Sequence, residues 1–294
     1  MQVRVNEIAL DREVLQGFKD NGFVRLSGLI GPDIIRNALR EVNRQIGQSQ
    51  SGVDQFKAKS FPSQPEITNL FNKSGIPSLL KLLLGDKRNP YQGAGQLAIR
   101  FPGDACPPGT TETNYNHSEA VRKGWHIDGC PSNFIPGITD HYGEIHNFDC
   151  LVGVLLSTTT QENSGELCVY PKSHYDLASY FQTKANLDAV YKKGNEKLPT
   201  GVKTDQVLKN KPVHCLGNAG DVFLANYMTA HYIAPNTSEN IRYAVYFRVK
   251  SSAFGHKGHC KRPMLEPWVN WKGLDGRITV RVSTRHSTVT MAMM

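Results

Sequence analysis

The sequence predicts a mainly β protein with flanking α-helices, folded as one domain. Three observations carry this. Runs rich in β-branched and aromatic residues recur between residues 96 and 249, each bounded by Gly, Pro, Asn or Ser. Residues 1–88 instead space their apolar positions as helices do. The 294 residues suffice for one large domain with a sizeable core, and they contain no internal repeat. The expected division is a mostly helical part over 1–88, a β core over 90–255 and a C-terminal extension over 256–294.

Taken in order, residues 8–20 put Leu10, Val14, Leu15 and Phe18 on one side of a helix, with Asp11 as N-cap. Phe23 to Leu26 is a short strand. Pro32 opens a second helix, as proline does in a first turn, with Ile34, Ile35, Ala38, Leu39 and Val42 as its apolar stripe up to Gly47. Residues 48–65, rich in Ser, Gln and Lys, read as a loop of lid-like length. A third helix spans Ile76 to Leu84 and stops at Gly85. Strands follow at 96–101, 150–157, 167–170, 221–225 and 241–249, with a helix over 176–193. The 150–157 run is nearly all apolar, as a strand buried on both faces must be. Residues 103–123 and 129–147 are long loops, and 279–294 reads as a loose tail.

The chemistry concentrates in four residues. His126 and Asp128 flank Ile127, so on a strand both point to one face while Ile127 packs the other way. His231 follows the run Asp221-Val-Phe-Leu-Ala225, and Arg242 comes eleven residues later with Pro235-Asn-Thr-Ser238 between. This spacing predicts that His231 and Arg242 lie on adjacent antiparallel strands. Two imidazoles and one carboxylate can hold one face of an octahedral Fe(II) and leave three positions open. The guanidinium supplies a planar fork for a carboxylate. A lone His-x-Asp is common by chance; a distal His and an Arg at this distance make the set specific. A zinc site could use the same ligands but gives Arg242 no role.

The chain resembles the phytanoyl-CoA dioxygenase family of Fe(II)/2-oxoglutarate oxygenases. The resemblance rests on Leu15-Gln-Gly-Phe-Lys-Asp-Asn-Gly-Phe-Val-Arg-Leu-Ser-Gly28, Gly124-Trp-His-Ile-Asp128, Asn163-Ser-Gly-Glu-Leu-Cys-Val-Tyr-Pro-Lys-Ser-His174, Gly220-Asp-Val-Phe223 and Glu266-Pro-Trp-Val-Asn-Trp-Lys-Gly273. It implies a double-stranded β-helix (jelly-roll, cupin-like) core with N-terminal helices. It implies that His126, Asp128 and His231 are the catalytic iron ligands and that Arg242 binds the C5 carboxylate of 2-oxoglutarate, with O2 as the oxidant. The expected reaction oxidises a C–H bond, by hydroxylation, desaturation or cyclisation, and converts 2-oxoglutarate to succinate. Gln96 and Arg100, on the 96–101 strand, are candidates for a second contact; Gln96 is assigned to 2-oxoglutarate and Arg100 to substrate. Trp125, Tyr142 and Asn147, in or beside the long loops, are further substrate candidates. The chain departs from the family pattern at Lys172, where the Pro-Gly-Ser-His turn has Gly, and at Ile233 and Ala244, near which relatives place a hydroxyl. A carboxylate at Asp128, where halogenases of this kind carry a small residue, points to C–H oxidation over halogenation.

Composition bounds the rest. Apolar residues make up 39% and charged residues 20%, ordinary for a globular chain. No run approaches the ~20 apolar residues of a membrane span, and neither a signal pattern nor a peroxisomal Ser-Lys-Leu ending is present. The six cysteines form no Cys-x-x-Cys, which fits a reduced, cytoplasmic chain. A net charge of +8 suits a small anionic substrate. No motif indicates nucleic acid. A nucleic-acid or protein demethylase on the same iron predicts a continuous basic groove instead. A non-catalytic binding protein on the same fold would not need the intact triad with Arg242.

Overall fold

The computed structural model describes residues 5–10, 12–48, 62–103, 127, 148–183, 207–252, 261–275, 278–283 and 291–292. The elements are β1 (Val5–Leu10), α1 (Arg12–Asn21), β2 (Phe23–Leu26), α2 (Pro32–Gln48), α3 (Pro65–Asn72), α4 (Ile76–Leu84), β3 (Gln96–Arg100), β4 (Cys150–Leu155), β5 (Leu167–Val169), α5 (Ser173–Phe181), β6 (Val213–His214), β7 (Val222–Asn226), β8 (His231–Ile233), β9 (Arg242–Val249), α6 (Lys261–Leu265), β10 (Ile278–Ser283) and β11 (Met291–Ala292). Among the described residues no helix is long and apolar enough to cross a membrane.

Two sheets position the site. A six-stranded antiparallel sheet runs β11-β2-β7-β4-β9-β3, and a three-stranded one runs β6-β5-β8. Strand alternation divides the larger sheet into two faces. Val24, Leu26, Leu97, Ile99, Val152, Val154, Val222, Leu224, Val245 and Phe247 form one cluster with α1 to α4. Phe23, Ala98, Leu151, Leu155, Phe223, Ala225, Ala244 and Tyr246 form a second with Leu167, Val169 and Tyr232 of the smaller sheet. The helices thus cover one face, and the smaller sheet packs on the other, as a jelly-roll requires. The central strand β4 is buried at all six positions.

The helices are held by burial more than by propensity. In α4, Ile76, Leu79, Leu80, Leu83 and Leu84 are all buried, and each such side chain contributes roughly 1.5–3 kcal/mol. The helix stops where Gly85 turns left-handed (φ 68°) and its N–H bonds back to Leu82 O.

Two sequence segments far apart are knitted together. Gly22 (φ 84°) ends α1, and a Cβ there would lie 2.5 Å from His174 Nδ1. His174 is buried and hydrogen-bonds Lys19 O through Nε2 at 2.9 Å. Lys172 N–H donates to Asn21 O, and the Thr229 hydroxyl to Gly22 O. The Asn-Gly-Phe and Pro-Lys-Ser-His segments therefore form one structural joint, in which His174 is a packing residue. A second joint centres on Gly220 (φ 95°), where a Cβ would meet Ile30 O at 2.7 Å. Beside it, Asp221 accepts the N–H groups of Gly28 and Asn218 at 2.8 and 2.9 Å, fixing the entry to β7.

Several sequence expectations are corrected. Residues 8–10 belong to a strand, not to the first helix, because β1 pairs along its length with β10. That partner lies in the segment read as a loose tail: Ile278, Val280 and Val282 alternate as a strand does, and β11 extends the large sheet beside β2. Part of the Ser/Gln/Lys-rich stretch, Pro65 onward, begins helix α3, which buries Ile67, Leu70 and Phe71. The helix expected from 176 begins at Ser173. Asp11, most of 48–65 and the long loops lie outside the described residues.

Candidate active site

Arg242 opens β9 and lies on its inner face with Ala244 and Tyr246. The register places Arg100 of β3 directly opposite Arg242, Ala98 opposite Ala244 and Gln96 opposite Tyr246. Two guanidiniums therefore face each other on a buried sheet surface, an arrangement that is unfavourable without an anion between or beside them.

The hydrogen bonds show what these cations lack. Arg242 is 2% exposed. Its Nε donates to Gly165 O and its Nη1 to Ala98 O at 3.1 Å, while Nη2 is buried with no partner. Arg100 spends Nη1 on Ile99 O, and its Nε is also buried and unpartnered. Burial pulls the Arg242 pKa down, with Arg100 adding to the fall and Tyr246 and Glu166 opposing it. Tyr246 is fully enclosed, so burial raises its phenol, against the pull of Arg242 and Arg100. Unsatisfied buried donors on facing cations fit a carboxylate ligand.

His231 opens β8 in the other sheet. Its register partner is Val169 of β5, and it is buried. Its Nδ1 lies 2.8 Å from Thr229 O, which can only accept, so Nδ1 carries a proton and in the neutral ring the lone pair is on Nε2. The expectation that His231 and Arg242 occupy adjacent strands is corrected. β8 pairs with β5, whereas β9 lies between β4 and β3. The Pro235 turn carries the chain from one sheet across to the other, so the two residues come from facing sheets. The link between them is Gly165, which accepts from Arg242 and leads into β5, the neighbour of β8.

Of the remaining candidates, Gln96 Oε1 accepts from Arg248 Nη1 at 2.7 Å. It sits opposite Tyr246, at the other end of β3 from the Arg100–Arg242 pair. His126, Asp128, Trp125, Tyr142 and Asn147 lie outside the described residues. Ile127, between the two proposed ligands, is buried in the inner cluster. Sequence reading missed Tyr246, although its spacing of four from Arg242 in a strand places both on one face. It also missed Gly165 as the acceptor for Arg242. Lys172 adopts the left-handed conformation (φ 65°), which explains why the family pattern has Gly at this turn.

The sequence profile of the phytanoyl-CoA dioxygenase (PhyH) family matches residues 109–244, a span that includes His126, Asp128, His231 and Arg242. Over that span, a little under half of the chain, the sequence is similar to the PhyH family. A search of curated protein sequences gives no match. Among solved structures, AviO1 from Streptomyces viridochromogenes Tue57 is similar at 16% identity and a TM-score of 0.52, covering 85% of this chain and 99% of its own. EvdO2 from Micromonospora carbonacea var. aurantiaca, solved in complex with 2-oxoglutarate, is similar at 13% identity and a TM-score of 0.50, covering 87% and 98%. At these identities the likeness establishes the fold alone, a double-stranded β-helix core with flanking helices.

Proposed function

We propose that this protein is an Fe(II)/2-oxoglutarate-dependent dioxygenase that oxidises a C–H bond of a small, anionic metabolite. The observation that carries the reading is the buried Arg242 guanidinium, with one nitrogen unpartnered and Arg100 opposite, within the span that matches the PhyH family. His126, Asp128 and His231 would hold the iron. When bound, that iron supplies oxygen activation coupled to decarboxylation of 2-oxoglutarate to succinate.

The chain's own residues set the rest. Thr229 O fixes the His231 tautomer, so its coordinating nitrogen needs no proton loss to bind metal. Arg242, held by Gly165 O and Ala98 O, offers Nη2 in a fixed direction and would orient the far carboxylate of the co-substrate. Arg100 would add positive charge for the same carboxylate or for an anionic substrate. The inner face beside them, with Ala98, Ala244 and Leu155, is apolar and would limit water around that pair. The three described cysteines, 150, 168 and 215, are buried free thiols, which suits a reducing compartment such as the cytoplasm.

The test is turnover of 2-oxoglutarate. With Fe(II), ascorbate and O2, the wild-type protein should form succinate, and formation should rise when the right anionic metabolite is added. Asp128→Ala and His231→Ala should reduce it to background. Undiminished succinate formation by both variants would reject the triad.

A further inference from the structure

We propose that Glu166, Cys168 and His214 form a second metal site, specific for a borderline-soft divalent ion such as zinc, separate from the His126–Asp128–His231 centre. The three donor atoms lie within 4.8 Å of one another. Strand pairing brings them together: Cys168 of β5 is directly opposite His214 of β6, and Glu166 precedes Cys168 by two, on the same face. Cys168 Sγ lies 3.4 Å from His214 Nδ1. That matches the separation of about 3.5 Å expected between sulfur and nitrogen on a tetrahedral zinc, from Zn–S of ~2.3 Å and Zn–N of ~2.0 Å.

Glu166 Oε1 lies 2.5 Å from the same Nδ1, sharing a proton with it. A zinc ion would take that proton's place, and the oxygen would draw back by under about 1 Å to reach ligand spacing. Binding would release the Cys168 thiol proton, while the shared Nδ1 proton of His214 moves to Nε2, on the side of Glu162, so metal uptake acidifies the solution. Glu166 is already aimed: Asn163 N–H and Ser164 N–H donate to its two oxygens at 2.8 and 2.7 Å. These backbone donors act as the outer support that fixed metal ligands carry. Exposed Glu162 stands 3.6 Å from His214 Nε2, so the far side of the ring faces a solvent-accessible carboxylate.

The site is not part of the iron centre. Along β5, Cys168 pairs with Tyr232 while Val169 pairs with His231, so Cys168 and His231 point to opposite faces of the small sheet. Mixed sulfur, nitrogen and oxygen donors select zinc or cobalt, whereas the iron triad has no sulfur.

Cobalt(II) reads the site directly, because thiolate-to-cobalt charge transfer absorbs in the near ultraviolet and an all-nitrogen-and-oxygen triad gives no such band. Full-length reduced protein should develop this band on Co(II) titration and release protons as it does. Asp128→Ala should keep the band. Cys168→Ser should abolish it and lower the bound Co(II) by one per chain. His214→Gln should weaken uptake into the band at least about ten-fold. Circular dichroism and a melting curve establish that each variant is folded, and Glu166→Gln serves as a third variant if Cys168→Ser is not. Absence of the band in the wild type at saturating Co(II), or its survival in folded Cys168→Ser or undiminished in His214→Gln, would overturn the proposal. Because Asp128→Ala tests the triad separately, failure of one site leaves the other reading intact.

Discussion

Arg242→Met should erase the stabilisation that 2-oxoglutarate gives the protein. In the free protein Nε and Nη1 of Arg242 are engaged and Nη2 is not, so the ligand gains at least one charge-assisted hydrogen bond to a fully buried guanidinium. Such a bond contributes roughly 1.5–3 kcal/mol, and about 3 kcal/mol corresponds to a ~100-fold loss of affinity. With Mn(II) fixed and 2-oxoglutarate at 100 times the wild-type Kd, ligand linkage stabilises the wild type by about 2.7 kcal/mol. For a chain of this size that raises Tm by about 5 °C. In Arg242→Met the same concentration sits near the new Kd, giving about 0.4 kcal/mol and a shift below ~1 °C. The assay is a melting curve for each protein with and without 2-oxoglutarate at constant Mn(II), so any effect of the substitution on the unliganded fold cancels. A full 5 °C shift retained in Arg242→Met would refute the assignment of the carboxylate to this guanidinium.

Other consequences follow from the same geometry. Burial holds His174 near pKa 4, below its usual 6.5, with the Lys19 carbonyl and Asp20 opposing. The folded state therefore resists protonation: its contribution is complete above pH 6.5 and is lost as pH falls towards 4, up to about 3 kcal/mol. Urea unfolding at pH 7.5 and 5 should show this loss in the wild type and less of it in His174→Gln; equal pH dependence would contradict it. Lys172→Gly, which relieves a left-handed residue, should raise stability by about 0.5–1 kcal/mol in the same assay. Gly220→Ala should cost about 1–3 kcal/mol, because its Cβ would press on Ile30 O at a positive φ. Asp221→Ala, which strips the acceptor from two backbone N–H groups, should cost about 2–4 kcal/mol; a change under 1 kcal/mol would show those donors find other partners.

Much of the β core was legible because its strands carry unambiguous patterns. The apolar 150–155 run and the β-branched and aromatic run ending at Val249 could be read directly, as could the ends of α4 at Ile76 and Gly85. What failed depended on partners distant in sequence. Val5–Leu10 carries apolar residues that satisfy either period, and only β10 decides it. The placement of His231 and Arg242 on facing sheets needed the whole strand order, since a turn of the Pro235-Asn-Thr-Ser238 kind serves a hairpin and a sheet crossing equally well. Arg242 could be singled out from sequence, and the structure buries it. That Arg100 faces it was not, because register is set by pairing, not by local pattern.

The most direct test of an iron centre that binds 2-oxoglutarate is the visible spectrum of the protein with Fe(II) and the keto acid under anaerobic conditions. A weak charge-transfer band should appear when the keto acid is added, and it should be absent from Asp128→Ala and from Arg242→Met at the same co-substrate concentration. Tightly bound iron with no band on adding 2-oxoglutarate, or a band indifferent to both substitutions, would contradict it.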